Sequence, residues 1–288
     1  MGVNRPQSLA TIQAAIDAGI DAFDTAYSYG YDGESDRMLG EVLRRSNNAG
    51  RSFFVIGKAG QRWTQRRVRV VDASASALIA DAKASLRRIG IERFDLLMLH
   101  GIDPNVPIEI SAGAMRQLRD RGLAASVGVC NVDEHELRAF ANVVECAAIQ
   151  CPLNLLQPDS LDPLIRVAAS LGANAHVYWT LMKGLLAGKI TRDQILDPAD
   201  SRSRYEIFQG DARRRAHDIV DRLAIVAKDH DMTVSQLAIG WALAQDGVTA
   251  ALVGAKRPDQ IVETANSQPL HRSLLAVVDG VLQDIQGG

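Results

Sequence analysis

Nowhere does this 288-residue chain run to about 18 uninterrupted apolar residues, the length a membrane-spanning helix needs. Its opening segment, MGVNRPQSLATIQAAIDAG, has no apolar core of signal-peptide type. Cysteine is sparse. Cys130, Cys146 and Cys151 form no CxxC pair and no metal-ligand spacing, so neither a disulfide framework nor a bound metal is expected. These absences together lead us to expect a cytoplasmic protein. Charge of one sign is lacking too. With 32 basic and 34 acidic residues the net charge is −2, which leaves no field drawing the chain to nucleic acid or an anionic membrane, although a local cluster can still hold a phosphate. Finally, no GxGxxG follows the early apolar runs, which argues against a doubly wound or flavodoxin-like sheet.

What is present is a composition able to bury a core, 47% hydrophobic and 23% charged, at a length suited to one α/β domain over 1–288. Short Val-, Ile-, Phe- and Leu-rich runs read as strands: DAFDT (21–25), FFVIGK (53–58), FDLLMLH (94–100), SVGVCN (126–131), AAIQC (147–151), AHVYW (175–179) and AALVGA (250–255). Most lack period-2 alternation, the mark of parallel strands covered on both faces. Helical patterns fill the gaps. ASALIADAKASLRRIG stops at Gly90, Asp133 with Glu136 and Thr233 with Gln236 form candidate capping boxes, and an apolar stripe marks an additional helix over 213–228. The segment 180–212 is polar and irregular, long enough for a functional loop. Repeated βα units predict a (β/α)8 TIM-type barrel. Only seven candidate strands can be counted, and the chain opens almost directly on a helix: either the first strand is missing, or one strand goes unrecognised, or the barrel is open on one side.

In such a barrel the carboxyl ends of the strands converge on one mouth. Asp24 ends the first run, Tyr29 follows in its loop, Lys58 ends the second, and His100 ends the third. Cys130 and Asn131 end the fourth, and Gln150 lies in the fifth. Singly each has an ordinary structural explanation, as a helix cap, a packed ring or a solvated charge. Jointly their chemistry is coherent. Reducing a carbonyl needs a proton at oxygen as hydride reaches carbon, and a tyrosine can supply it if a neighbouring ammonium pulls its pKa down. A carboxylate keeps that ammonium charged, and a histidine N–H can stabilise the oxygen's growing negative charge.

The run DTAYSYGYDGESDRMLG resembles the aldo-keto reductase segment in which DTA-x-x-Y-G leads into G-x-SE-x-x-LG. Further pieces follow in the family's order: IGK at 56–58, SLRRIGIERFDLLMLHGID at 85–103, GLAASVGVCN at 122–131, LMKGLLAGK at 181–189 and LVGAKRPDQIVE at 252–263. The resemblance implies a nicotinamide-dependent oxidoreductase with Asp24, Tyr29, Lys58 and His100 as catalytic tetrad and Tyr29 as acid–base residue. It implies that Asn131 and Gln150 hold the nicotinamide carboxamide, that Tyr178 stacks on the nicotinamide ring, and that Cys130 and Leu181 also belong to the cofactor site. Gly254, Lys256, Arg257, Gln260 and Glu263 would clamp the adenosine phosphate. The two adjacent cations favour NADP, with NAD also admitted.

Three departures from the family pattern stand out: the N-terminal hairpin and first barrel strand with which the family begins are absent, Cys130 stands in place of a serine, and Thr180 in place of a proline. The small-molecule partner expected is a carbonyl compound, an aldehyde, ketone or sugar, or the matching alcohol. Its identity and the oligomeric state are not legible. Tyr27, Tyr31, Trp63, Trp179, Tyr205 and Phe208 are candidate pocket walls, and Arg62, Arg66 and Arg67 candidate contacts for an anionic substrate. Two other classes of function are consistent with the pattern: a cofactor-sensing regulatory subunit, as potassium-channel β-subunits are, and a truncated inactive chain.

Overall fold

A computed structural model describes residues 4–47, 50–198 and 200–286. Nine strands occur among them: β1 (Ala22–Asp24), β2 (Phe54–Ala59), β3 (Gln61–Trp63), β4 (Arg69–Val71), β5 (Phe94–Leu99), β6 (Ala124–Cys130), β7 (Ala148–Pro152), β8 (Asn174–Tyr178) and β9 (Val248–Ala251). Seven hydrogen-bond in the order β1-β2-β5-β6-β7-β8-β9, and the registered pairs from β1 to β7 are all parallel. This is the order of a (β/α)8-type barrel with seven of its strands among the described residues, as the sequence predicts. All seven expected strands are present. Only AALVGA is displaced, its strand lying at Val248–Ala251 rather than 250–255.

The chain falls into two compact units. The first comprises Met1–Cys151, Pro163–His176 and Gly254–Ala265, the second Pro152–Asp162, Val177–Val253 and Asn266–Gly288. In the first, the helix α1 (Arg5–Asp17) precedes β1, and α2 (Glu34–Asn47), α3 (Ala75–Ile89) and α4 (Ile108–Asp120) follow the early strands. Ser74 caps α3 by accepting from the Ala77 N–H, and Gly90 ends it in the left-handed conformation at φ +82°. Its apolar side, including Leu78, Leu86 and Ile89, is buried, and the helix lies against β2. Inside the sheet, Ile56, Leu96, Met98, Cys130 and Ala148 form a buried cluster. Close packing there requires Gly128, since an added Cβ would stand 2.2 Å from the Ala148 carbonyl oxygen on the next strand.

Two features fix the loop after β1. Asp36 is fully buried and accepts from Thr25 Oγ1 at 2.8 Å and Ser85 Oγ at 2.7 Å, tying the end of β1 to α2 and α3. The loop also runs on beside β2, where the Tyr27 N–H donates to the Lys58 carbonyl at 3.0 Å. Directly after β2 the chain turns into the antiparallel hairpin β3–β4, which the sequence pattern does not predict. Arg62 anchors it, reaching Asp81 on α3 at 2.7 Å.

The second unit holds α7 (Gly210–Asp229), α8 (Val234–Leu243) and α10 (Arg272–Gln286); α5 (Glu134–Ala141), α6 (Leu164–Ser170) and α9 (Pro258–Ala265) belong to the first. Both expected capping boxes form, Asp133 with Glu136 at α5 and Thr233 with Gln236 at α8. The stripe read at 213–228 is the inner face of α7, which buries Ala216, Ile219, Val220, Leu223 and Ala227. The described residues of 180–209 contain only short 3-10 turns, at Met182–Gly184, Ser201–Arg204 and Glu206–Phe208. No helix of the described residues is long and apolar enough to cross a membrane.

Candidate active site

Parallel register brings the carboxyl ends of β1, β2, β5, β6 and β7 to one side of the first unit, and with them the polar residues singled out from the sequence. Lys58 is almost wholly buried, yet its ammonium is paired with Asp24 Oδ1 and also donates to the Thr25 carbonyl at 3.3 Å. The other Asp24 oxygen accepts from Gln150 Nε2 at 2.7 Å. Gln150 is held in turn by Cys130, whose Sγ donates to its Oε1 at 3.4 Å. Thus Asp24, Lys58, Gln150 and Cys130 form one hydrogen-bonded chain through the interior.

Tyr29 lies above this chain. Lys58 Nζ is 4.7 Å from the centre of the Tyr29 ring, and the His100 ring meets that of Tyr29 edge-on at 5.6 Å. Asn131 has left-handed backbone at φ +58°, and its Nδ2 donates to the His100 carbonyl at 2.8 Å. All four tetrad candidates are therefore brought together, with Cys130, Asn131 and Gln150 around them.

The electrostatics follow from burial. Burial disfavours the Lys58 ammonium, but the charge of Asp24 and the neighbouring Tyr29 outweigh it and hold its pKa above the ordinary lysine value. The sequence leads one to expect Lys58 to pull the Tyr29 phenol down. Burial wins instead, and the phenol is pushed above 10, with Lys58 opposing. Its proton is therefore retained at neutral pH. Burial also keeps Cys130 a thiol. His100 is brought down to about 3, first by burial and then by the charges of Lys58 and Arg69, so its imidazole is neutral.

His100 gives a pH signature. Its folded pKa of about 3 lies below the ordinary 6.5, so between those values the unfolded chain binds more protons. The stabilising contribution is fully present above pH 6.5 and is lost as pH falls towards 3. Between about pH 7 and about pH 4 the loss is on the order of 3 kcal/mol. Urea unfolding at the two pH values should show a drop smaller by that amount in His100→Asn. An equally steep drop in the variant assigns the acid sensitivity elsewhere.

The remaining candidates are placed as follows. Gly254, Lys256 and Arg257 precede α9 in the first unit, and Gln260 and Glu263 lie within that helix. Gln260 Oε1 accepts from the Lys256 N–H at 2.8 Å, while the Arg257 guanidinium pairs with Asp259 at 2.9 and 3.0 Å. Tyr178 and Leu181 belong to the second unit, as do Trp179, Tyr205 and Phe208. There Lys183 Nζ sits 4.0 Å from the Trp179 ring centre and 4.6 Å from that of Tyr205. In the first unit the Tyr27 ring is covered by the Arg88 guanidinium at 4.6 Å, and Arg62 is taken up by Asp81, which removes it from the candidate substrate contacts.

Sequence reading passed over three residues. His176 on β8 has a buried Nδ1 with no hydrogen-bond partner among the described residues, and its pKa is lowered by burial while Asp24 and Lys58 act on it in opposite senses. The Ser28 carbonyl accepts from the Trp63 indole at 2.8 Å and from Arg69 at 3.4 Å. A histidine within the run AHVYW was the available signal for His176; nothing in the sequence marks Ser28 or Arg69.

The profile that defines the aldo/keto reductase family matches residues 1–282. The chain belongs to this family. This aldo/keto reductase is 30% identical over 261 residues to aldo-keto reductase YhdN of Bacillus subtilis (strain 168), covering 90% of this chain and 78% of the relative. It is 27% identical over 273 residues to the NADH-specific methylglyoxal reductase of Escherichia coli (strain K12), covering 91% and 82% respectively. Among solved structures, the glycerol dehydrogenase of Gluconobacter oxydans matches with a TM-score of 0.92 at 28% identity, over 100% of this chain and 89% of that one. As an aldo/keto reductase the chain is an NAD(P)-dependent oxidoreductase of carbonyl and alcohol groups.

Proposed function

We propose that this aldo/keto reductase interconverts a small aldehyde, ketone or sugar and its alcohol, uses NADP(H) with NAD(H) as second choice, and employs Tyr29 as its acid–base residue. Residues 1–288 then serve as one functional domain. One observation carries the reading: a buried, charged Lys58, compensated by Asp24, directly beneath a protonated Tyr29 and beside a neutral His100.

The donor set fits a nicotinamide cofactor. Asn131 follows β6 and Gln150 lies within the neighbouring β7, both next to the tetrad, and their side-chain amides suit a carboxamide, with Cys130 orienting Gln150. Tyr178 and Leu181 are assigned to the cofactor by resemblance. Gly254, Lys256, Arg257, Gln260 and Glu263 are assigned to the adenosine phosphate on the same ground. When bound, the reduced cofactor supplies a hydride. Tyr29 donates the phenolic proton to the carbonyl oxygen in reduction and takes it back in oxidation. Lys58 stabilises the phenolate left behind, and Asp24 keeps Lys58 charged throughout. His100, being neutral, offers an N–H to the same oxygen.

The test is cofactor titration by nicotinamide fluorescence, then turnover on a panel of aldehydes and alcohols. Absence of both binding and turnover overturns the reading. Cofactor choice has its own test. Lys256 and Arg257 are exposed, and Lys256 has no carboxylate partner among the described residues. Replacing both by alanine should weaken NADPH by roughly 1–3 kcal/mol per charge-assisted contact and NADH far less. Because Asp259 already holds Arg257, Lys256 should account for the larger part. Equal weakening of the two cofactors would make NAD(H) the cofactor instead.

A further inference from the structure

The hairpin β3–β4 carries a charge pattern that the tetrad does not use. From Gln61 to Val71 its sequence is QRWTQRRVRVV, four arginines and no acid. Arg62 is spent on Asp81 and Asp72, but Arg67 and Arg69 are exposed and have no carboxylate partner among the described residues. Both sit over aromatic faces instead. The Arg67 guanidinium carbon is 4.6 Å from the Tyr31 ring centre and that of Arg69 4.8 Å from the Trp63 ring centre. The two rings meet edge-on at 6.4 Å, so both cation–π contacts are made to one aromatic pair. Arg67 holds left-handed backbone at φ +58°, a conformation costly for a residue with a side chain.

This group stands beside the chemistry. The Trp63 indole and Arg69 both donate to the carbonyl of Ser28, the residue before Tyr29. The charge of Arg69 is also felt at His100. Lys58 is offset by Asp24, whereas Arg67 and Arg69 add positive charge at this edge that no carboxylate partner among the described residues offsets. Guanidinium groups held by stacking keep their N–H edges available for planar two-oxygen anions.

We infer that Arg67 and Arg69 select carbonyl substrates bearing an anionic oxygen group, a carboxylate in the simplest case, with Tyr31 and Trp63 holding the arginines in place. The inference rests on the carbonyl reductase reading above and names its substrate class. Each exposed cation–carboxylate contact contributes up to about fivefold, so together they should favour the anionic substrate by on the order of tenfold.

The experiment compares kcat/KM for 4-carboxybenzaldehyde and benzaldehyde in the wild-type chain, Arg67→Gln/Arg69→Gln and Arg67→Lys/Arg69→Lys. The expected result is a roughly tenfold preference for the carboxylate. That preference should sit in KM, weaken with added salt, fall to near unity in the glutamine variant and survive in part in the lysine variant. A wild-type ratio near one, or a ratio unchanged by glutamine, overturns the inference. A second readout needs no turnover: calorimetric titration of the free chain with benzoate and benzamide. Should neither aldehyde react, benzoate preference lost in the glutamine variant upholds the anion site while the proposed function fails. Equal binding of the two ligands overturns the anion site whatever the turnover.

Discussion

Tyr29→Phe is expected to lower turnover by roughly 10²–10⁴-fold while leaving cofactor affinity almost unchanged. The substitution preserves the ring, so the edge contact with His100 at 5.6 Å and the face offered to Lys58 at 4.7 Å both remain. Only the transferable proton is lost. Burial holds the Tyr29 phenol protonated through neutral pH, so the wild-type residue is a loaded acid rather than a partly ionised one. Steady-state kinetics on a reactive aldehyde, with a parallel fluorescence titration of the cofactor, separate the two effects. Turnover within a few-fold of wild type takes Tyr29 out of the mechanism. A matching loss of cofactor binding assigns it a role in binding.

The second large effect concerns stability. Asp24→Leu leaves the Lys58 ammonium buried with the Thr25 carbonyl at 3.3 Å as its remaining recorded acceptor, and strips Gln150 Nε2 of its acceptor as well. Breaking a buried ion pair from one side costs about 3–5 kcal/mol, because the surviving charge is uncompensated. Removing both charges, in Asp24→Leu/Lys58→Met, should cost distinctly less, since neither carboxylate nor ammonium is then stranded. Urea denaturation of the three chains at neutral pH measures both quantities. If the single variant is as stable as the parent, the ion pair is not what anchors this interior. If the double variant is no better than the single, the cost comes from packing rather than from charge.

The strands were legible because parallel strands covered on both faces must be apolar along most of their length, and runs such as FDLLML stand out. Lys58 and His100 were legible for the same reason, as polar interruptions where an apolar run ends, and Gln150 as a polar residue within one. The capping boxes could be read directly, being local hydrogen-bond patterns. The hairpin β3–β4 could not. Each of its strands is three residues long and none of their residues is buried, so core burial leaves no mark on QRWTQRRVRV. The strand read at 250–255 was misplaced because apolar residues continue past its end into the turn before α9. The Tyr29 shift was anticipated with the wrong sign: charge neighbours can be guessed from a motif, whereas depth of burial depends on the whole fold, and here burial dominates. His176 escaped notice because a single histidine in an apolar run has no spacing partner to identify it.

The shared acceptor at Ser28 bears on how this scaffold could be redesigned. An indole and a guanidinium from the hairpin converge on the peptide unit that immediately precedes the tyrosine. Exchanging residues 61–71 for the corresponding stretch of a relative is therefore not the transfer of a detachable specificity cassette. The graft also replaces the mooring of the residue proposed as the proton donor, so selectivity and rate should change together. Library screens that vary the hairpin alone should return compensating changes at 28 or in the turn beyond it.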